Sequence, residues 1–293
     1  MREHFIIAAR PQREWSWFVV VAFFLGGVGA GVFFLSLILG NLKWGLATGL
    51  VVVALGTNGA FVLDLGRPTR FWRAMLRPGT SWISRGILLI LSFLLLGILY
   101  FLPFVVSGLP WEKGTSLGWV VGVFAALAAL GVMTYTGFVL SYSPAIPFWN
   151  TTLLPIIFII YANMGGTAVI FFLNPFLEKS AVNLKVLETL EIFLLLAAVG
   201  LILVYLLTSY YTQVGARESV RMILRGRLAL PFFLGVVLVG LVIPLAISLT
   251  VYFVKLEYGS VIALLVSAGI MESAGGLAFR YCLVKGGVFA PVI

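Results

Sequence analysis

Carboxylic acids stand at or inside three long apolar runs of this sequence. Asp64 ends the first of these runs and is followed at once by a basic segment that includes Arg67. Glu191 lies roughly 10 Å into a second run, and Glu272 lies roughly 21 Å into a third, at about 1.5 Å of rise per helical residue. Because an ionisable side chain at such a depth in a bilayer is energetically costly, each of these acids is a functional candidate.

The segment around Asp64 suits a binding pocket. A carboxylate at a buried pocket beside Arg67 or Arg70 would hold and release a proton. Trp72 and Trp82 would supply flat apolar walls. The alternative is an interfacial Asp–Arg pair that ends a helix, with aromatic side chains that anchor the helix ends at the bilayer surface. The residue types and their spacing are compatible with both interpretations.

Glu191 and Glu272 are candidates for moving protons through the interior. Arg280 follows Glu272 by about two turns and lies about 80° round the same helix, too far for direct pairing but within reach through water or another helix. Together with Asp64, these residues predict a proton relay. The alternative for Glu272 is a structural hydrogen bond to a neighbouring helix.

Tyr135 lies in a polar cluster near the end of another apolar run, in the stretch "MTYTGFVLSYSPAIPFWN". A phenol can donate a hydrogen bond to a carbonyl oxygen of a bound ring, but a tyrosine near the bilayer boundary is also a common anchor. The loop that follows carries no charge, which suits burial against the helices or against a partner protein.

The elements that must position these residues are membrane-spanning helices. The chain of 293 residues is 62% hydrophobic and 10% charged, far from the composition of a soluble domain. Its apolar runs are about as long as a bilayer is thick, which predicts an all-α integral membrane protein. No long polar loop separates them, so any soluble catalytic domain must belong to another subunit. The eight predicted spans are residues 15–39, 43–63, 85–106, 117–141, 151–173, 184–210, 227–253 and 258–284.

An even number of spans places both termini on the same side of the membrane. Most of the 19 Lys and Arg residues flank that side, so the positive-inside rule predicts that it is cytoplasmic. The net charge of +9 is explained by these loops and by their contact with membrane lipids, so nucleic acid is not an expected partner.

Metal-binding residue types are scarce. The sequence contains one histidine, His4, and one cysteine, Cys282, which excludes haem b held by two histidines and an iron–sulfur cluster held by cysteines. The glycines between Gly27 and Gly31 lie inside an apolar run with no preceding strand, so they predict close helix packing rather than a dinucleotide loop. If the protein handles electrons, a diffusible organic carrier must bring them.

Apart from Glu191, the candidate site residues named above fall in four motifs: "DLGRPTRFW" (64–72), "SWISRG" (81–86), "YTGFVLSYSPAIPFWNT" (135–151) and "ESAGGLAFRY" (272–281). These motifs resemble those of the NrfD/PsrC family, the membrane subunits of polysulfide-reductase-like complexes. The resemblance implies eight transmembrane helices in two four-helix bundles without haem. It places a first bundle with a quinone site at 15–141 and a second bundle at 151–284, flanked by an N-terminal segment (1–14) and a C-terminal tail (285–293).

The resemblance also implies roles for single residues. Asp64 matches the acidic member of the family's second-helix motif, and Tyr135 matches the fourth-helix tyrosine that contacts the quinone head group. The first helix departs from the family, because it offers only Ser16 and aromatic residues where the polysulfide reductase subunit has polar quinone contacts. The predicted quinone contacts are Asp64, Arg67, Arg70, Trp72 and Tyr135, and the predicted partner-docking residues are Arg73, Arg77, Trp82 and Arg85.

These residues predict a quinone-reactive membrane anchor of a multisubunit oxidoreductase in the prokaryotic cytoplasmic membrane. An iron–sulfur subunit, itself bound to a molybdopterin-type catalytic subunit, would exchange electrons with menaquinone or ubiquinone. In this family the quinone face lies outside the cytoplasm, whereas the loop charges place it inside, so both orientations stay open. A secondary transporter with midplane carboxylates and a purely structural anchor are the alternatives.

Overall fold

Eight membrane-length helices make up most of the part of the chain that the structure describes. The computed structural model describes residues 10–40, 42–65, 68–176 and 183–290. Within these ranges the eight predicted spans of an integral membrane protein are confirmed, with ends that differ by a few residues. The spans are α1 (Trp17–Ile38), α2 (Lys43–Asp64), α3 (Trp82–Phe104), α4 (Ser116–Ser141), α5 (Leu153–Phe176), α6 (Leu184–Thr212), α8 (Pro231–Phe253) and α9 (Tyr258–Lys285), with a short helix, α7 (Val214–Leu224), before α8.

Helical structure is what a bilayer requires of these apolar runs, because each backbone polar group must find its partner within the segment. Polar side chains mark where the helices begin. The hydroxyl of Ser16 accepts a hydrogen bond from the Phe18 N–H at 3.0 Å, and that of Thr115 accepts one from the Gly118 N–H at 3.0 Å. Such caps satisfy backbone donors that the first helical turn leaves unpaired.

Glycines allow the central helices to approach closely. Helix α1 packs along α5 and also contacts α2 and α4, so it lies between the two halves of the molecule. A Cβ atom added at Gly166 of α5 would lie 2.7 Å from the carbonyl carbon of Gly31 of α1. Gly240 of α8 and Gly275 of α9 meet in a similar way. Small residues at these positions let the backbones touch, as the glycine spacing in the sequence predicts.

Helix α2 is irregular near its middle. A π-helical turn at Val52–Thr57 interrupts it. The side-chain amide of Asn58 follows this turn and donates hydrogen bonds to the carbonyls of Val53 and Ala54, both at 3.2 Å. Because a π-helical turn widens the helix locally, it changes the face that the following residues present. The turn therefore sets which side chains at the end of α2 point inward.

The two ends of the described chain lie together at one end of the helices. Strand β1 (Arg10–Pro11) pairs antiparallel with β2 (Val288–Phe289). Beside this pair, the Lys285 ammonium group donates a hydrogen bond to the carbonyl of Trp15 at 2.6 Å. These contacts join the segment before α1 to the end of α9. We call this end of the molecule, with β1 and β2, the terminus face.

Candidate functional site

A cavity of about 330 Å³ lies near the terminus face between α1, α2, α3 and α4. Residues of all four helices line it, together with the segments that precede α1 and follow α2. Its apolar walls include Trp15, Val19, Phe23, Phe61, Ile83 and Ile90. Its polar lining residues are Glu14, Asn58, Asp64 and Tyr135.

Asp64 is the last residue of α2 and lines the cavity at the terminus face. Its carboxylate accepts a hydrogen bond from the hydroxyl of Ser16. The same serine oxygen caps α1 through the Phe18 N–H, so it joins the start of α1 to the end of α2. The start of the first helix therefore holds one carboxylate oxygen of Asp64. Ser16 makes this contact, and the other side chains there are aromatic.

Tyr135 lies on α4 and lines the same cavity as Asp64. It is only 4% exposed, and its ring packs against the backbone of Gly86 in α3, where no room is left for a Cβ atom. Among the described residues its hydroxyl has no hydrogen-bond partner, which leaves the group free to donate to or accept from a ligand. The fold thus brings together two predicted contact residues that are far apart in the sequence.

Sequence reasoning missed two polar residues of the cavity, Asn58 and Glu14. Asn58 is a lone amide inside the apolar run of α2, and that isolation was the available signal. Glu14 is exposed and lies just before α1. The backbone N–H of Arg13 donates to its Oε2 at 3.0 Å, which lowers the pKa of the Glu14 carboxyl below its ordinary value. Glu14 is therefore a carboxylate at neutral pH.

The remaining predicted quinone contacts do not join this lining. Arg67 lies outside the described residues, and Arg70 lies on a short 3₁₀ helix, Pro68–Met75, in which its side chain is not described. Trp72 is on the same helix, is 54% exposed and does not line the cavity. The Arg73 guanidinium lies 5.5 Å from the centre of its ring. The aromatic wall predicted at Trp72 is instead supplied by Trp15, Phe23 and Phe61.

The four predicted docking residues divide into two pairs. Arg73 and Arg77 are exposed on the segment between α2 and α3. Trp82 stacks on Phe138 with ring centres 5.2 Å apart, and Arg85 lies over its indole at 4.6 Å. The Arg85 guanidinium also donates to the carbonyls of residues 78 and 79, both at 2.7 Å. Trp82 and Arg85 therefore brace the loop, whereas Arg73 and Arg77 are accessible.

Glu191 of α6 and Glu272 of α9 lie side by side in the interior, where both helices pack against α5. They are 0% and 3% exposed, and their carboxyl groups are within hydrogen-bonding reach of each other. The hydroxyl of Thr167 in α5 donates to Glu191. Among the described residues no donor except the Glu191 carboxyl group is within reach of the oxygens of Glu272. Two adjacent carboxyl groups in an apolar interior must share at least one proton, because two charges of the same sign repel strongly there.

Arg280 is the most deeply buried cation among the described residues. It is 1% exposed, and its guanidinium lies 5.2 to 5.7 Å from the ring centres of Phe24, Phe158 and Tyr161. Its Nη1 donates to the Gly276 carbonyl at 3.0 Å, while Nε and Nη2 have no partner in the described part of the chain. Of the four predicted relay residues, only Glu191 and Glu272 meet directly.

Comparison with known proteins gives one family. A family model described as "Polysulphide reductase, NrfD" matches residues 6–291. The C subunit of polysulfide reductase from Wolinella succinogenes is 28% identical over 287 residues, which cover 88% of this chain and 90% of that protein.

Two further relatives carry the NrfD name. A protein NrfD homolog of Haemophilus influenzae is 23% identical over an alignment of 310 positions. The alignment covers 94% of this chain and 95% of that protein. Protein NrfD of Escherichia coli is 28% identical over 184 residues, which cover 53% of this chain and 58% of that protein. The resemblance inferred from the four motifs is confirmed.

Proposed function

Because the chain belongs to the NrfD family of polysulphide reductase membrane proteins, we propose that it is the quinone-binding membrane subunit of an oxidoreductase complex. The cavity between α1, α2, α3 and α4 is its quinone site. The observation that carries the proposal is the convergence of a carboxylate, Asp64, and an unpartnered phenol, Tyr135, on one apolar cavity.

The residues of the cavity fit the head group of a membrane quinone, either menaquinone or ubiquinone. A volume of about 330 Å³ is within the range of small-molecule sites, and the walls are aromatic and aliphatic. A quinone ring is flat and apolar with two carbonyl oxygens, so it needs such walls and a hydrogen-bond donor. The hydroxyl of Tyr135 supplies that donor.

A bound quinone supplies a carrier of two electrons and two protons, and the chain supplies positioning and proton exchange. The Tyr135 hydroxyl orients one oxygen of the ring from inside the cavity. The Asp64 carboxylate holds or releases a proton at the terminus face, and the Ser16 hydroxyl keeps that carboxylate in place. The apolar side chains around Tyr135 exclude water there, which strengthens its hydrogen bond to the ring.

Electrons reach this site from a partner protein. We assign the docking face to the terminus face, where Arg73 and Arg77 are exposed, and the partner to an iron–sulfur subunit that is itself bound to a molybdopterin-type catalytic subunit. The chain then acts as the membrane subunit of the enzyme and carries no catalytic domain of its own. Its membrane is the prokaryotic cytoplasmic membrane.

Proton movement through the second helix group extends this proposal. The shared proton of Glu191 and Glu272 is a step between the opposite membrane face and the quinone site. In the described residues Asp64 contacts neither glutamate, so the last step to the cavity passes through intervening groups or water.

The proposal is tested with an Asp64→Asn variant of the complete complex. We expect normal assembly with the partner subunits and a large loss of quinone-coupled turnover, while electron transfer to a soluble dye by the partner subunits is retained. Full quinone-coupled turnover in the assembled variant would contradict the role of Asp64. Purification of a lone chain without redox partners would instead support a transporter, and partners without bound quinone would support a structural anchor.

A further inference from the structure

We propose that Asn58 is a second ring contact of the cavity, a hydrogen-bond acceptor that favours the reduced quinol over the oxidised quinone. The inference rests on the proposed quinone function and adds to it the selectivity between the two redox forms. Asn58 lines the cavity with Asp64 and Tyr135.

The π-helical turn of α2 determines how the Asn58 amide is oriented. Its Nδ2 donates to the carbonyls of both Val53 and Ala54, at 3.2 Å each. Carbonyl oxygens only accept hydrogen bonds, so the NH₂ side of the amide must face them. Both amide protons are then engaged within α2. The amide atom that remains for a ligand is the carbonyl oxygen Oδ1, which can only accept.

Asn58 lies at the same depth as Tyr135. It precedes Asp64, the end of α2, by six residues, and Tyr135 precedes Ser141, the end of α4, by six residues. At 1.5 Å per residue, both side chains start about 9 Å inside the terminus-face ends of their helices. The amide and the phenol are therefore at one level of the cavity, with Asp64 nearer its mouth.

This pairing distinguishes the two redox forms of a ring. A quinone oxygen is an acceptor, so it forms no hydrogen bond with Oδ1. The quinone oxygen and Oδ1 both lose contact with water and gain no hydrogen bond in exchange. A quinol hydroxyl is a donor and forms a hydrogen bond with Oδ1. The Tyr135 hydroxyl donates or accepts, so it serves both forms equally. An unpaired buried polar group is costly enough to change affinity about tenfold.

The test is an Asn58→Ala variant of the purified complex, with 2,3-dimethyl-1,4-naphthoquinone and its quinol as probes. We expect the dissociation constant of the quinol to rise about tenfold and that of the quinone to stay the same or fall, because the quinone only loses an unpaired contact with Oδ1. Asn163→Ala is the matched control, because Asn163 is a buried amide on α5 that donates to the Ile159 carbonyl and does not line the cavity. It should leave both constants unchanged.

A second variant separates recognition from support of α2. Asn58→Asp keeps an acceptor at the same position and loses the amide donors. If Asn58 binds the quinol, this variant should recover part of the quinol affinity that Asn58→Ala loses. If Asn58 only supports α2, it should recover none. Two outcomes would overturn the inference and leave the quinone site in place. In the first, Asn58→Ala loses affinity for quinol and quinone equally. In the second, Asn58→Ala loses no affinity although Tyr135→Phe binds both probes more weakly. If Asn58→Ala, Tyr135→Phe and Asp64→Asn all bind both probes normally, the proposed quinone site itself fails.

Discussion

The ring of Tyr135 in α4 packs directly against the backbone of Gly86 in α3, and the contact leaves no room for a side chain at residue 86. The glycine of the "SWISRG" motif therefore forms part of the support behind a cavity residue. Since Tyr135 is almost fully enclosed, a side chain at residue 86 could be accommodated only if the tyrosine ring moved.

A Gly86→Ala substitution should displace the Tyr135 ring toward the cavity. We expect a loss of quinone-coupled turnover of about ten- to a hundredfold, because small misplacements of a positioning group have effects of that size. The measurement is turnover with a quinol analogue in the purified complex. Gly200→Ala is the control, because nothing lies within 4 Å of a Cβ atom at that helical position. Equal activity of the two variants would show that Tyr135 needs no such support.

A Ser16→Ala substitution should affect both stability and the Asp64 carboxylate. Loss of the helix cap should lower the free energy of unfolding by about 1 kcal/mol. Turnover should also fall, because Asp64 loses its hydrogen bond to α1. The decisive measurement is a double-mutant cycle with Asp64→Asn, in which the two effects on turnover should not add. Additive effects would show that Ser16 acts only as a cap.

A Glu272→Gln substitution should separate proton coupling from folding. The amide preserves a hydrogen bond to Glu191, so assembly and thermal stability should match the wild type. If Glu272 carries protons, the number of protons released per electron in liposomes should fall. Glu188→Gln, one turn before Glu191 on α6, serves as the control and should keep the wild-type ratio. An unchanged ratio in Glu272→Gln removes this residue from any pathway.

An Arg280→Lys substitution should destabilise the protein. The planar guanidinium contacts three aromatic rings at once, and a lysine ammonium group at the same position would lose most of these contacts. We expect the free energy of unfolding to fall by about 1–3 kcal/mol, measured by thermal unfolding in detergent. Arg217→Lys, at a half-buried arginine near the surface that lies 5.5 Å from the Tyr210 ring, should change it by less than about 0.5 kcal/mol. Similar effects for both variants would contradict a special role for burial.

Much of the fold could be predicted from the sequence, because a bilayer imposes helix on any apolar run of its own thickness. The starts of α1 and α4 lie within two residues of their predicted positions, next to Ser16 and Thr115. The start of α8 was predicted at residue 227 and lies at Pro231, and the start of α3 was predicted at residue 85 and lies at Trp82. Length and hydropathy are local properties, so they require no knowledge of packing.

The candidate site, like the fold, could be predicted only in part from the sequence. Residue type alone identified Asp64, Tyr135, Glu191 and Glu272 as candidates, because polar and ionisable groups in apolar runs are costly. Their roles remain predictions. Residue type also suggested Trp72, which is instead exposed, since the short 3₁₀ helix after α2 directs it away from the cavity.

The sequence by itself determined the number of spans, their approximate limits and the short set of side chains that could do chemistry. Only the tertiary structure decided which of them come together, Asp64 with Tyr135 on one cavity and Glu191 with Glu272 in the interior, and that Asn58 joins the cavity lining. The physical reason is that the helices meet through glycine contacts and α2 is reoriented by a π-helical turn. The spacing of the glycines predicts close packing but does not identify the partner helix, which depends on contacts between distant segments.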